Sequence, residues 1–173
     1  MSKTRLDVFD RAVGKAEAWI GELAAELGWE EEFHRAYEAL GAVLHVLRDR
    51  LPVQEAVDLG AQLPLLLRGL YYQNWDVSVN PEKYRHAEEF HRHVRGRLAR
   101  QRPGSVSEER IVEAVAGLLG ARLSEGELRS VRRALPPEVR QLFPGPGKPD
   151  PDLGRSSGGD WLSEERDWER FSE

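Results

Sequence analysis

Residues 39–72, ALGAVLHVLRDRLPVQEAVDLGAQLPLLLRGLYY, decide the fold, because a relative of this stretch recurs later in the same chain. Set against the residues 72 positions further on, 111–144 (IVEAVAGLLGARLSEGELRSVRRALPPEVRQLFP), it aligns without a gap. Ten pairs are identical, among them Arg50/Arg122, Glu55/Glu127, Pro64/Pro136 and Arg68/Arg140, too many to leave to shared composition. With one residue of slippage, Trp19, Leu23 and Leu27 match Phe90, Val94 and Leu98 in the preceding segments. The expectation is two copies of one helical unit, each with two long helices, a shorter helix and a terminal turn.

Helical periodicity runs outward from there. Phe9, Val13, Ala16, Ile20, Leu23 and Leu27 recur at three- and four-residue steps, and Gly28 supplies a left-handed stop. Phe33, Ala36, Tyr37, Leu40, Val43, Leu44, Leu47 and Leu51 place a second helix over about 31–50 with one apolar face. Pro52 suits the first turn of a third helix, and Pro64 breaks it. Asn80 followed by Pro81 predicts a capped helix reaching about residue 100. Ser107 caps the next helix, and Ser124 with Glu127 has the spacing of a capping box. No alternating strand pattern competes, so the fold class is all-α.

Composition narrows the function classes. The 173 residues contain no cysteine, which excludes disulfides, thiolate catalysis and cysteine zinc sites. No apolar run approaches the roughly 20 residues of a membrane span, and the start has no signal-peptide pattern, so a cytoplasmic protein is expected. The net charge is −5, and residues 145–173 carry eight acids against four bases. The rest of the chain is thus near neutral, and overall charge argues for no particular partner.

The domain is expected over 1–144, with units at about 5–75 and 80–144, followed by a linker and acidic aromatic tail over 145–173. A Gly-, Pro- and Ser-rich linker of ~16 residues has an r.m.s. reach of about 20–24 Å. Beyond it Trp161, Trp168 and Phe171 share one face of a possible short helix, a pattern suited to anchoring in a groove.

Several runs together carry a family resemblance: Leu47-Arg48-Asp49-Arg50-Leu51, Gln62-Leu63-Pro64, Arg68-Gly69-Leu70-Tyr71-Tyr72 with Trp75, Phe9-Asp10-Arg11-Ala12, and the closing residues 139–144. Over roughly 5–144 the chain resembles domain-of-unknown-function family 2267, small bacterial helical proteins. The resemblance implies a helical fold and brings no chemistry with it.

The duplication acts as an internal control. Arg50/Arg122, Glu55/Glu127 and Arg68/Arg140, kept in both copies, are assigned to helix ends and to carbonyls freed at the proline breaks. Residues found in one copy only, His45, Arg48, Asp49, Gln62, Tyr72 and Trp75, are the better functional candidates. Leu65 and Leu66 become Pro137 and Glu138 in the second unit, which leaves the first with an additional apolar group.

Candidate chemistry is sparse. His86, Glu89 and His93 fall on one helical stripe that could offer metal ligands, but a solvated polar stripe explains them as well, and no metal or cofactor is called for. Arg92, Arg95, Arg97, Arg100 and Arg102 could meet phosphates from a basic helix over 81–102, although they spread around the helix. Nothing resembles a nucleophile elbow, a phosphate loop or a dinucleotide fingerprint, so no enzyme is expected. The reading is a non-enzymatic scaffold or adaptor that docks a protein partner, or itself, through Leu65, Leu66, Tyr72, Trp75, Trp161, Trp168 and Phe171. A nucleic-acid-associated regulator is the alternative.

Overall fold

Local signals set most helix ends. A residue preceding proline is pushed out of the helical region, and Leu51, Leu63 and Leu135, each followed by proline, are extended with ψ between 145° and 151°. Gly28 stops the first helix at φ 70°, and its amide and that of Trp29 close on the carbonyls of Ala25 and Ala24. Ser107 and Ser124 accept from the amides of Arg110 and Glu127 as N-caps.

The computed structural model describes residues 6–98 and 106–145. Among them the chain forms only helices: α1 (Asp7–Leu27), α2 (Phe33–Arg50), α3 (Val53–Gln62), α4 (Leu65–Tyr72), a 3-10 turn at Val77–Val79, α5 (Ala87–Leu98), α6 (Glu108–Arg122), α7 (Glu125–Ala134) and α8 (Pro137–Gln141). The expected terminal turn of the first unit is a two-turn helix, α4. Both ends of α7 lie 72 residues beyond those of α3, and α4 and α8 start with the same spacing.

Two expectations change. The second helix was expected to have one apolar face, yet residues 39–44 of α2 are buried without a break, because α1, α4, α5 and α6 all pack on it. Small residues permit this closeness: a Cβ on Gly41 would stand 3.1 Å from a Leu70 methyl. The helix expected from Asn80 begins only at Ala87, so there is no continuous basic helix over 81–102. Asn80 has extended backbone, and its amide is spent elsewhere, donating to the carbonyls of Arg48 and Leu51 at 2.7 and 2.9 Å. The Asn80–Pro81 bond is cis.

The packing crosses the sequence halves. α1 lies on α6 and α5 lies on α2, while α3 meets α7 and α2 meets α6. One apolar cluster results, running from Trp19 and Leu23 through Leu44 and Leu47 to Phe90, Val115, Leu119 and Phe143. Phe90 and Phe143 meet edge to face at 5.8 Å, a favoured aromatic arrangement. At the edge of this cluster Arg122 holds Glu22, and Arg110 holds Glu26, fastening α6 to α1.

Candidate functional site

The last two turns of α2 carry the sequence His45-Val46-Leu47-Arg48-Asp49-Arg50, and most of the polar residues found only at the first of the two aligned stretches converge on them. Arg48 is 1% exposed and Asp49 5%. The Arg48 guanidinium donates to Asp49 Oδ1 at 2.8 Å and to the carbonyls of Tyr71 and Gln73 at 2.6 and 3.1 Å. It thereby closes the C-terminus of α4, whose last carbonyls have no helical partners. Arg97, one helix away, reaches Asp49 Oδ2 at 2.7 Å. His45 contacts the Leu70 carbonyl at 2.6 Å, and burial is the main cause that lowers its pKa, helped by the charges of Arg48 and Arg97. Trp75 donates through Nε1 to Asn80 Oδ1 at 2.8 Å and faces Arg48 at 5.7 Å.

A buried charge survives only when it is paired and hydrogen-bonded. Every polar group named above meets that requirement, so the cluster is an internal clasp joining α2, α4, α5 and the 73–80 segment. Gln62 lies apart from it and is exposed.

The proposed partner residues divide. Leu65 and Leu66 are exposed at 57% and 47%. Tyr72 and Trp75 pack partly buried against the core, stacked on one another at 5.5 Å, with the Tyr72 hydroxyl donating to the Val57 carbonyl at 3.3 Å. Two further apolar residues, Val53 and Val57, lie exposed one turn apart on α3. Helical periodicity puts Val53 with Ala56, Leu59 and Leu63 on the apolar face of the third helix, but the alignment carries the signal that sets it and Val57 apart: their counterparts are Glu125 and Arg129. Trp161, Trp168 and Phe171 lie outside the described residues.

Among the described residues the arginines of this group do not form one surface. Arg95 binds Glu108, and Arg97 is committed to Asp49. Arg92 is exposed, while Arg100 and Arg102 lie outside the described residues. The histidine stripe is also dispersed. His86 pairs with Glu138 at 3.1 Å and His93 with Glu82 at 3.3 Å, whereas Glu89 caps its own helix by accepting from the amides of Arg85 and His86. Among the described residues no group of three or more His, Asp or Glu could hold a metal ion.

Of the identical residues 72 positions apart, one pair performs matching tasks and another shares an unexpected environment. Arg68 Nε donates to the Gly60 carbonyl and Arg140 Nε to that of Arg132, at 3.1 and 2.6 Å, and their Nη2 groups reach Leu63 and Leu135. Each acceptor in the second set lies 72 residues beyond its counterpart. Glu55 and Glu127 were expected to complete caps. Instead each buries one carboxyl oxygen without a hydrogen-bond partner. Burial, then the charges of Asp58 and Glu55, push Glu127 up to about 6.

Among the described residues no helix is long and apolar enough to cross a membrane. No curated protein matches the chain. The model of the family described as "Uncharacterized conserved protein (DUF2267)" matches residues 16–142, a span that takes in every helix from α2 to α8 together with most of α1, and the chain belongs to that family.

Proposed function

We propose that this protein is a non-enzymatic scaffold or adaptor, built from two copies of one helical unit, that docks a protein partner on an apolar surface only its first unit carries. The observation that supports this is the set Val53, Val57, Leu65 and Leu66, all exposed, standing where the second unit has Glu125, Arg129, Pro137 and Glu138. One copy thus has the polar surface expected of a solvated helix pair, and the other retains large aliphatic groups in water. The repeat itself is supported by the matching helix starts and by the parallel roles of Arg68 and Arg140. The acidic tail, with Trp161, Trp168 and Phe171, is a second anchor in this reading.

Leu65→Asp/Leu66→Asp tests it, because both side chains already face water and the fold should persist. The double variant should keep its circular dichroism and melting behaviour while losing proteins that the parent chain recovers and that recover the parent in the reciprocal capture. Identical recoveries from parent, double variant and a chain ending at residue 144 would sink the proposal. The nucleic-acid alternative has less support, since Arg95 and Arg97 already hold carboxylates.

A further inference from the structure

Arg50 and Arg122 occupy equivalent places at the ends of α2 and α6, yet their surroundings differ in one respect. Arg122 is neutralised: its Nε and Nη2 both donate to Glu22 Oε2, at 3.0 and 2.5 Å. The slippage that matches Trp19, Leu23 and Leu27 with Phe90, Val94 and Leu98 places Glu22 on His93. Where the second unit has that carboxylate, the first unit therefore has an imidazole in the aligned position, and that ring pairs with Glu82. Arg50 is left with a backbone acceptor, the Tyr84 carbonyl at 2.9 Å, and with the Tyr84 ring 5.4 Å away.

Beside Arg50 lies a cavity of about 240 Å³ lined by Arg50, Pro81, Glu82, Lys83, Tyr84 and Arg85. Lys83 and Arg85 are exposed, and among the described residues neither side chain forms an ion pair. Three cations thus face one carboxylate, and that carboxylate is held by His93. The segment is not loosely draped. The Glu82 amide donates to the Asp49 carbonyl at 2.8 Å, Tyr84 is buried and stacked on His93 at 4.9 Å, and Asn80 is tied to α2. The cations are therefore presented by anchored backbone, the condition for a site that need not be assembled on binding. Burial is the main cause that lowers the pKa of Arg50; the Arg85 charge adds to it, and Tyr84 and Glu82 oppose it.

The geometry points to an oxyanion-binding site here, fitted to a phosphate group that would serve Arg50 as an anion in the way Glu22 serves Arg122. A phosphate monoester brings about −1.5 to −2 charges and three acceptor oxygens, which matches the two uncompensated positive charges of the lining. The planar guanidiniums can donate in pairs, while Lys83 contributes a point charge. A free phosphate and one carried on a small ester share this chemistry.

Calorimetric titration of the full chain at constant ionic strength, with inorganic phosphate in one arm and phosphoserine in the other, separates the two sources. The expected result is saturable one-site binding in at least one arm, with the tighter arm naming the source. Lys83→Gln/Arg85→Gln, both on the surface, should weaken it about tenfold. Arg129→Gln, an exposed arginine on α7, should leave it unchanged. His93→Glu, which puts a carboxylate at the position aligned with Glu22, should weaken binding comparably. No saturation in either arm, an equal response to chloride, unaltered binding by the double variant, or tighter binding of a short DNA oligomer through the same residues would each overturn the assignment.

Discussion

Glu127 shows how a residue can be placed correctly by sequence and still be misjudged. Its spacing from Ser124 announces a capping box, and its amide does accept the role, donating to Ser124 Oγ at 3.2 Å. The carboxyl group follows tertiary packing instead, because α3 and α7 meet and bring Glu55 and Asp58 near it. Its folded pKa, about 6, stands above the ordinary 4.5, so the folded state binds the proton more tightly. The stability linked to this group is full below about pH 4.5 and is lost as pH rises through about 6. With allowance for solvent screening, the effect is on the order of 1 kcal/mol. Urea unfolding at pH 5 and pH 8 should show the Glu127→Gln variant losing less stability, or gaining more, than the parent over that interval, by about this amount. An unchanged pH slope in the variant would refute the argument. His45 acts with the opposite sign: its lowered pKa means stability present above about 6.5 that declines as pH falls. Arg48→Met should cost about 3–5 kcal/mol in the same unfolding assay, because it strips Asp49 of its buried partner and leaves carbonyls of α4 and the following turn unpaired.

The elements were legible wherever their signals were local. Gly28, Ser107 and Ser124, and the leucine–proline pairs that end α2, α3 and α7, each act within a few residues of where they stand. Asn80 misled because its best hydrogen-bond acceptors lie about 30 residues back in the chain, and no local rule weighs them. The clasp around Arg48 was out of reach for the same reason, with Tyr71 23 residues away and Arg97 48 from Asp49. What the alignment did supply was the list of residues peculiar to the first unit, four of which form that clasp. Between α3 and α4 the approach is close: a Cβ at Gly60 would stand 2.6 Å from Tyr72 Cζ and 3.0 Å from Tyr71 Cε1. Gly60→Ala should therefore destabilise by about 1–3 kcal/mol, and Gly60→Ala/Tyr72→Ala should recover part of the loss in a double-mutant cycle. Arg68→Met and Arg140→Met should cost similar amounts, about 1–3 kcal/mol each, since each frees a comparable set of carbonyls. A large cost for one and none for the other would separate the two units mechanically.

At the scale of the whole molecule, the helices pair across the halves of the sequence: α1 with α6, α5 with α2, α3 with α7. The first half taken alone would lose the surface that covers Trp19, Leu23 and Leu44, yet it would still possess one copy of each element that its missing partner contributed. Two such halves could supply each other with the absent helices, α3 set against α3, in an isologous pair. A chain ending near residue 79 should accordingly sediment as a homodimer rather than a folded monomer. On the proposed duplication, this pairing across the halves gives gene fusion, with later divergence of one surface from the other, a direct structural route from a symmetric ancestor.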